Sequence, residues 1–178
     1  MSEAFDRLLA MALVLGVDPG SLLTGYGIVN EVSGCLHCVA FGVLEGKPKD
    51  SFSQRLLQIG ESLSEIIREY KPKAMALEKS FYAKNPDSAT KLGQVRGVCM
   101  YVAAKARVPI YEYSPTEIKS QIVGNGRAGK DQVQFVVQVL LGLPAMKKFD
   151  MSDALALAIH HVRWSMTQVR MQEREIQQ

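Results

Sequence analysis

The chain has 178 residues, of which 47% are hydrophobic and 22% charged, with a formal net charge of +3. That balance supplies one ordinary globular core and excludes disorder over most of the length, while the small positive charge permits nucleic-acid binding without demanding it. The apolar runs Met11 to Val17 and Val133 to Leu143 are too short or too interrupted for a membrane helix of roughly 20 residues.

Residues 1–10 carry Glu3, Asp6 and Arg7 and no apolar signal core, so nothing directs secretion and the chain is expected to be cytoplasmic. Met11 to Val17 is a continuous apolar run ended by Asp18-Pro19-Gly20, the pattern of a buried strand meeting a turn. Thr24 to Asn30 and Leu36 to Glu45 are two further extended segments, which predicts a three-stranded antiparallel opening. Cys35 and Cys38 form a single C-x-x-C there. With three cysteines in all and no second pair, they read as strand filling, not as a disulfide or zinc site.

Ser51 to Tyr70 carries Leu56, Ile59, Leu63, Ile66 and Ile67 at helical spacing and is stopped by Pro72. Ala74 to Glu78 reads as a short buried strand. Ser88 to Ala106 reads as a helix with Leu92, Val95, Val98 and Val102 on one side, and Pro109 to Tyr113 as a strand. Ser114-Pro115-Thr116-Glu117 combines a serine cap, proline at the first helical position and glutamate three residues after the cap, predicting a helix to about Val123. After the loop Gly124 to Gly129, a helix is expected over Lys130 to Leu141, stopped by Gly142 and Pro144. The last helix is expected from Asp150 to about Thr167. From Gln168 a polar tail has little to bury and is expected to fray. The order implies a mixed α/β sheet flanked by helices.

Two acids fall at carboxyl ends of strands, Asp18 and Glu78, where open α/β sheets place their ligands. Asp150 and Asp153 are three apart in the first turn of the last helix and share a face. Crowded carboxylates repel, so a cluster of the four needs divalent cations. Oxygen-only donors select hard ions such as Mg²⁺ or Mn²⁺, and a pair of such ions is the usual device for phosphodiester hydrolysis. Each acid alone has a simpler reading: Asp-Pro-Gly as a turn, Asp150 and Asp153 as dipole-complementing residues, Glu78 as a solvated side chain. Lys79-Ser80-Phe81-Tyr82, directly after Glu78, is an aromatic pattern that a purely structural reading does not require.

From Met11 to about His161 the chain resembles the RuvC family of Holliday junction resolvases. The resemblance rests on Leu15-Gly16-Val17-Asp18-Pro19-Gly20 with Thr24-Gly25-Tyr26-Gly27, on Leu77-Glu78-Lys79-Ser80-Phe81 with Ala83-Lys84-Asn85, on Lys91-Leu92-Gly93-Gln94-Val95-Arg96-Gly97, on Gly129-Lys130, and on Asp150-Met151-Ser152-Asp153-Ala154-Leu155-Ala156. It implies an RNase H-like five-stranded sheet over 11–167, between an extension at 1–10 and the tail at 168–178. It also implies a catalytic tetrad of Asp18, Glu78, Asp150 and Asp153 holding two Mg²⁺ per active site, with Mn²⁺ as a substitute. The family pattern admits histidine where Asp150 stands. Further implications are paired nicks in four-way junction DNA by a homodimer, leaving 5′-phosphate and 3′-hydroxyl ends, and partnership with the RuvA and RuvB branch-migration complex.

Other residues take roles within that frame. The Lys130 ammonium, at the start of a helix after a glycine loop, is placed to stabilise charge on a scissile phosphate, and Lys119 to hold backbone phosphate; the alternative for either is a solvated face. Phe81 stacks on bases at an opened junction, or else packs in the core. Lys84 and Asn85 belong with the DNA contacts that the resemblance implies. Gly93 and Gly97 clear one helix patch for close approach of a second helix, which matches the family's dimer interface. Competing readings are another RNase H-like nuclease, a junction-binding module without catalysis, and an actin or sugar-kinase type ATPase, which needs two such domains where this chain holds one.

Overall fold

The computed structural model describes residues 13–47, 49–79 and 85–176. The stretch 1–10 therefore lies outside the described residues. Five strands, β1 (Val14–Asp18), β2 (Leu23–Val32), β3 (Cys35–Glu45), β4 (Ala74–Glu78) and β5 (Ile110–Tyr113), form one sheet in the order β3-β2-β1-β4-β5. The first three are antiparallel neighbours, as the opening predicts, while β4 and β5 join in parallel. Among the described residues the helices are α1 (Phe52–Tyr70), α2 (Pro86–Lys105), α3 (Pro115–Val123), α4 (Lys130–Leu141) and α5 (Phe149–Ile176). No helix among them is long and apolar enough to cross a membrane.

Strand alternation sorts the core into two layers. Leu15, Val17, Ile28, Met75 and Leu77 face α1 and α2, packing with Ile59, Leu63, Val95 and Cys99. Val14, Val29 and Ala76 face the other way, onto Leu155 and Ile159 of α5 and Val133 and Val137 of α4. The expected caps are present: Ser114 accepts from the Glu117 amide at 3.2 Å while the Glu117 carboxylate accepts from the Ser114 amide at 2.7 Å. Lys71, the residue before Pro72, ends α1 in a left-handed cap with φ of +50°. Cys35 and Cys38 lie in β3 as free thiols.

One expectation is corrected. The last helix does not stop near Thr167 but runs to Ile176. Gln168 to Ile176 contains no glycine or proline, and its Gln, Glu, Arg and Met residues are strong helix formers, so nothing local ends the helix once the core has nucleated it.

Along the seam between α5 and β5, the Tyr113 hydroxyl and His161 Nδ1 lie 2.6 Å apart, with the Tyr111 and His161 rings 4.2 Å apart. Burial, with the neighbouring His160 second, depresses His161 from its ordinary 6.5 to about 4. Between those values the unfolded chain binds the proton and the folded chain does not. Stability is therefore expected to fall as the pH drops from 6.5 toward 4, by ~2 kcal/mol once solvent relaxation is allowed for, and then level off. Thermal unfolding of wild type and His161→Gln across this range checks it: the difference between the two should change only inside the window.

Candidate active site

Asp18 closes β1 and Glu78 closes the adjacent parallel strand β4, each one residue past the Val17–Leu77 pair. The pleat points both toward α5, on the same face as Gly16 and Ala76 two residues earlier. Thr24, fully buried, fixes the turn after Asp18: its hydroxyl donates to Gly20 O at 3.1 Å and accepts from Gly20 N at 3.3 Å.

Helix α5 lies directly on the strand backbone because three glycines leave room for it. A methyl at Gly16 would stand 1.9 Å from Ala154 O, one at Gly25 2.0 Å from Asp150 O, and one at Gly27 2.6 Å from Leu155 Cδ2. This bed brings the first turn of α5 to the strand ends that carry Asp18 and Glu78. A Lys148–Glu45 ion pair ties the start of α5 to β3.

The result is a cavity of about 160 Å³ lined by Asp18, Glu78, Asp153, Lys119 and Lys130. Three of the four expected acids thus share one wall. Asp150 is not among the lining residues; its carbonyl rests over Gly25, and its charge still acts on Asp18. Lys130 Nζ is 2.7 Å from Asp153 Oδ2. Asn85 spends its side-chain oxygen on the Asp87 amide at 2.9 Å, capping α2. Phe81, Tyr82 and Lys84 lie outside the described residues. On the outer face of α2, Gly93 and Gly97 are exposed, and a methyl at either would meet nothing within 4 Å in the single chain.

The electrostatics follow from this crowding. Burial, then Asp153 and Glu78, push Asp18 from 3.8 up to about 8. Glu78 is also raised, by burial and then Asp153, against the lowering pull of Lys130, Lys119 and Arg96. Carboxylate oxygens that cannot all remain charged fit a hard divalent cation. Among the described residues no three acids are yet close enough to share one ion, and the Lys130 ammonium balances part of the charge.

Arg96 stands in a sequence motif that by itself signals no role for it. It lines an adjoining cavity of about 330 Å³ that also contains Asp18 and Glu78. The available signal was spacing: Leu92, Val95, Arg96, Cys99, Val102 and Ala103 form one helical stripe, so a charge stood on the core-facing side. Thr24 and the three glycines stand within the sequence motifs, but their packing role depends on α5, which no local pattern places.

The strand order, the helix laid across its centre and the acids at one end define an RNase H-like α/β protein. A family model described as "Crossover junction endodeoxyribonuclease RuvC" matches residues 14–161. The protein of that name from Shewanella piezotolerans is 50% identical over 151 residues, covering 85% of this chain and 87% of its own. That from Saccharophagus degradans is 47% identical over 161 residues, covering 90% and 93%. The structure of T. thermophilus RuvC in complex with a Holliday junction substrate matches with a TM-score of 0.81 and 29% identity, over 86% of this chain and 94% of that one. A yeast mitochondrial Holliday junction resolvase shares the fold, with a TM-score of 0.62 at 15% identity. The chain belongs to the RuvC family of crossover junction endodeoxyribonucleases.

Proposed function

We propose that this chain is a cytoplasmic, divalent-metal-dependent endonuclease that resolves four-way DNA junctions as a homodimer, in recombination and repair. The observation that carries this reading is the meeting of Asp18, Glu78 and Asp153, from three separate segments, with Lys119 and Lys130 in one cavity of a RuvC-family chain.

Asp18, Glu78, Asp153 and Asp150 would hold two Mg²⁺ or Mn²⁺ ions, which would supply an activated water and charge stabilisation at the leaving oxygen, consistent with 5′-phosphate and 3′-hydroxyl ends. The chain's own residues orient the strand. Lys119 holds backbone phosphate at the cavity wall, and Lys130 exchanges Asp153 for the scissile phosphate and stabilises its developing charge. Phe81 stacks on bases at the crossover, and Lys84 and Asn85 contact its arms. The branch-migration proteins RuvA and RuvB are its partners on the junction.

The test uses synthetic junctions. Glu78→Gln and Asp153→Asn should bind them in Ca²⁺ with the steep salt dependence of phosphate contacts and leave them uncut in Mg²⁺. Variants that cut at the wild-type rate would refute the assignment.

A four-way junction presents two equivalent strands, so both cuts require a two-fold pair of sites. The open face at Gly93 and Gly97 supplies the contact. Gly97→Leu should fold at least as stably as wild type, since the helix gains ~0.5–1 kcal/mol on loss of a glycine, yet sediment as a monomer and nick without resolving. A dimer of wild-type strength would place the interface elsewhere.

A further inference from the structure

Arg96 is the one charged residue among the buried side chains described, at 9% exposure. It sits on α2 between the apolar residues Val95 and Cys99, on the side of the sheet opposite α5. Its guanidinium reaches up to the sheet's carboxyl edge. There one nitrogen donates to the backbone carbonyl of Glu78, and the other pairs with the Glu112 carboxylate on β5.

Burying an arginine is costly, and an apolar residue of similar size usually serves stability as well or better. The contacts it makes indicate what it does instead. Glu78 is the last residue of β4, paired with Tyr113 at the end of the parallel ladder, and Lys79 N still donates to Tyr113 O at 2.8 Å. That hydrogen bond is the ladder's last, and it holds the Glu78–Lys79 peptide only through its N–H. A planar fork that holds the Glu78 carbonyl and Glu112 together fixes the backbone from which the Glu78 side chain enters the cavity.

We infer that Arg96 is a positioning residue that clamps the end of β4 to β5 and so sets the Glu78 carboxylate for metal binding. It touches neither DNA nor metal in this role. The inference rests on the metal-dependent reading above.

The experiment is a calorimetric titration of the full-length protein with Mn²⁺, without DNA, alongside thermal unfolding. Arg96→Met should require about tenfold more Mn²⁺, the usual consequence of removing a group that orients a ligand, while binding junctions in Ca²⁺ as wild type does. Arg96→Lys should recover part of the loss, because an ammonium reaches one acceptor but cannot fork to both. Glu112→Gln, which keeps the carbonyl contact, should lose less than Arg96→Met. A merely structural arginine would lower the melting temperature and leave the Mn²⁺ curve of the folded protein where it was; that result overturns the inference. Should Arg96→Met fail to fold, wild-type Mn²⁺ curves for both Arg96→Lys and Glu112→Gln overturn it equally. If the wild-type protein takes up no Mn²⁺, the metal-dependent reading itself falls, an outcome distinct from wild type and variants binding alike.

Discussion

Asp18→Asn is expected to abolish cleavage and at the same time make the metal-free protein more stable. Asp18 stands half-buried among Glu78, Asp153 and Asp150, and burial together with those charges raises it from 3.8 to about 8. A group whose folded-state value is raised contributes its full stability below the ordinary carboxylate range and loses it as the pH climbs toward the folded value. Metal-free wild type should therefore weaken between pH 6.5 and 8, above the window in which His161 titrates. Asparagine has the same shape and no proton to lose, so its variant should lack that slope and gain ~3 kcal/mol at pH 8, a figure discounted for relaxation of the site. Added Mg²⁺ should stabilise wild type and not the variant. Cleavage should fall by at least about 10³-fold, since a ligand and its charge are both gone. Urea unfolding with and without Mg²⁺, beside a junction assay, measures all of this. An Asp18→Asn protein no more stable than wild type at pH 8 without metal would mean that the acids are not crowded as described.

That signature ties the site to its sequence, and it also shows which parts a sequence makes visible. Elements with strong local signals fall where expected: Ala74–Glu78 as a strand and Lys130–Leu141 as a helix agree to the residue. Their ends are marked by proline, glycine and charge, which act within a few residues. The convergence of the acids is different in kind. It depends on parallel pairing of β1 with β4, which no residue near Asp18 or Glu78 signals, and on α5 crossing above them, for which Gly16 and Gly25 leave room without specifying the helix that fills it. Each acid taken alone had a sufficient local explanation, so the resemblance across separated motifs had to join them. Asp150, three residues before Asp153, does not line the cavity that Asp153 lines, yet its charge still acts on Asp18. The extra length of α5 is not legible in the tail itself, because polar composition implies fraying only when nothing holds the preceding turns, and here the buried stretch Ala154–Val162 does.

The glycine bed beneath α5 gives the second large expected effect. Gly16→Ala and Gly25→Ala each introduce a single methyl, which elsewhere in a strand would be mild. Here the methyl meets a main-chain oxygen, Ala154 O at 1.9 Å or Asp150 O at 2.0 Å, and a helix backbone cannot rotate aside as a side chain can. α5 must lift, at a cost of ~1–3 kcal/mol or more for overpacking. Asp153 moves with it, and a displacement of about 1 Å at a reacting centre costs on the order of 10²-fold in rate. Both variants should therefore lose cleavage even at temperatures where they are folded. Gly27→Ala separates this mechanism from general strand disruption, because its nearest obstacle is the Leu155 side chain, with Cδ2 at 2.6 Å. A double-mutant cycle should show Leu155→Ala offsetting part of the Gly27→Ala penalty, whereas Ala154→Gly should offset none of the Gly16→Ala penalty, since trimming a side chain leaves the carbonyl in place. Equal rescue in both cycles would mean that α5 does not rest on the strand backbone, and the route by which Asp153 reaches Asp18 and Glu78 would have to be redrawn.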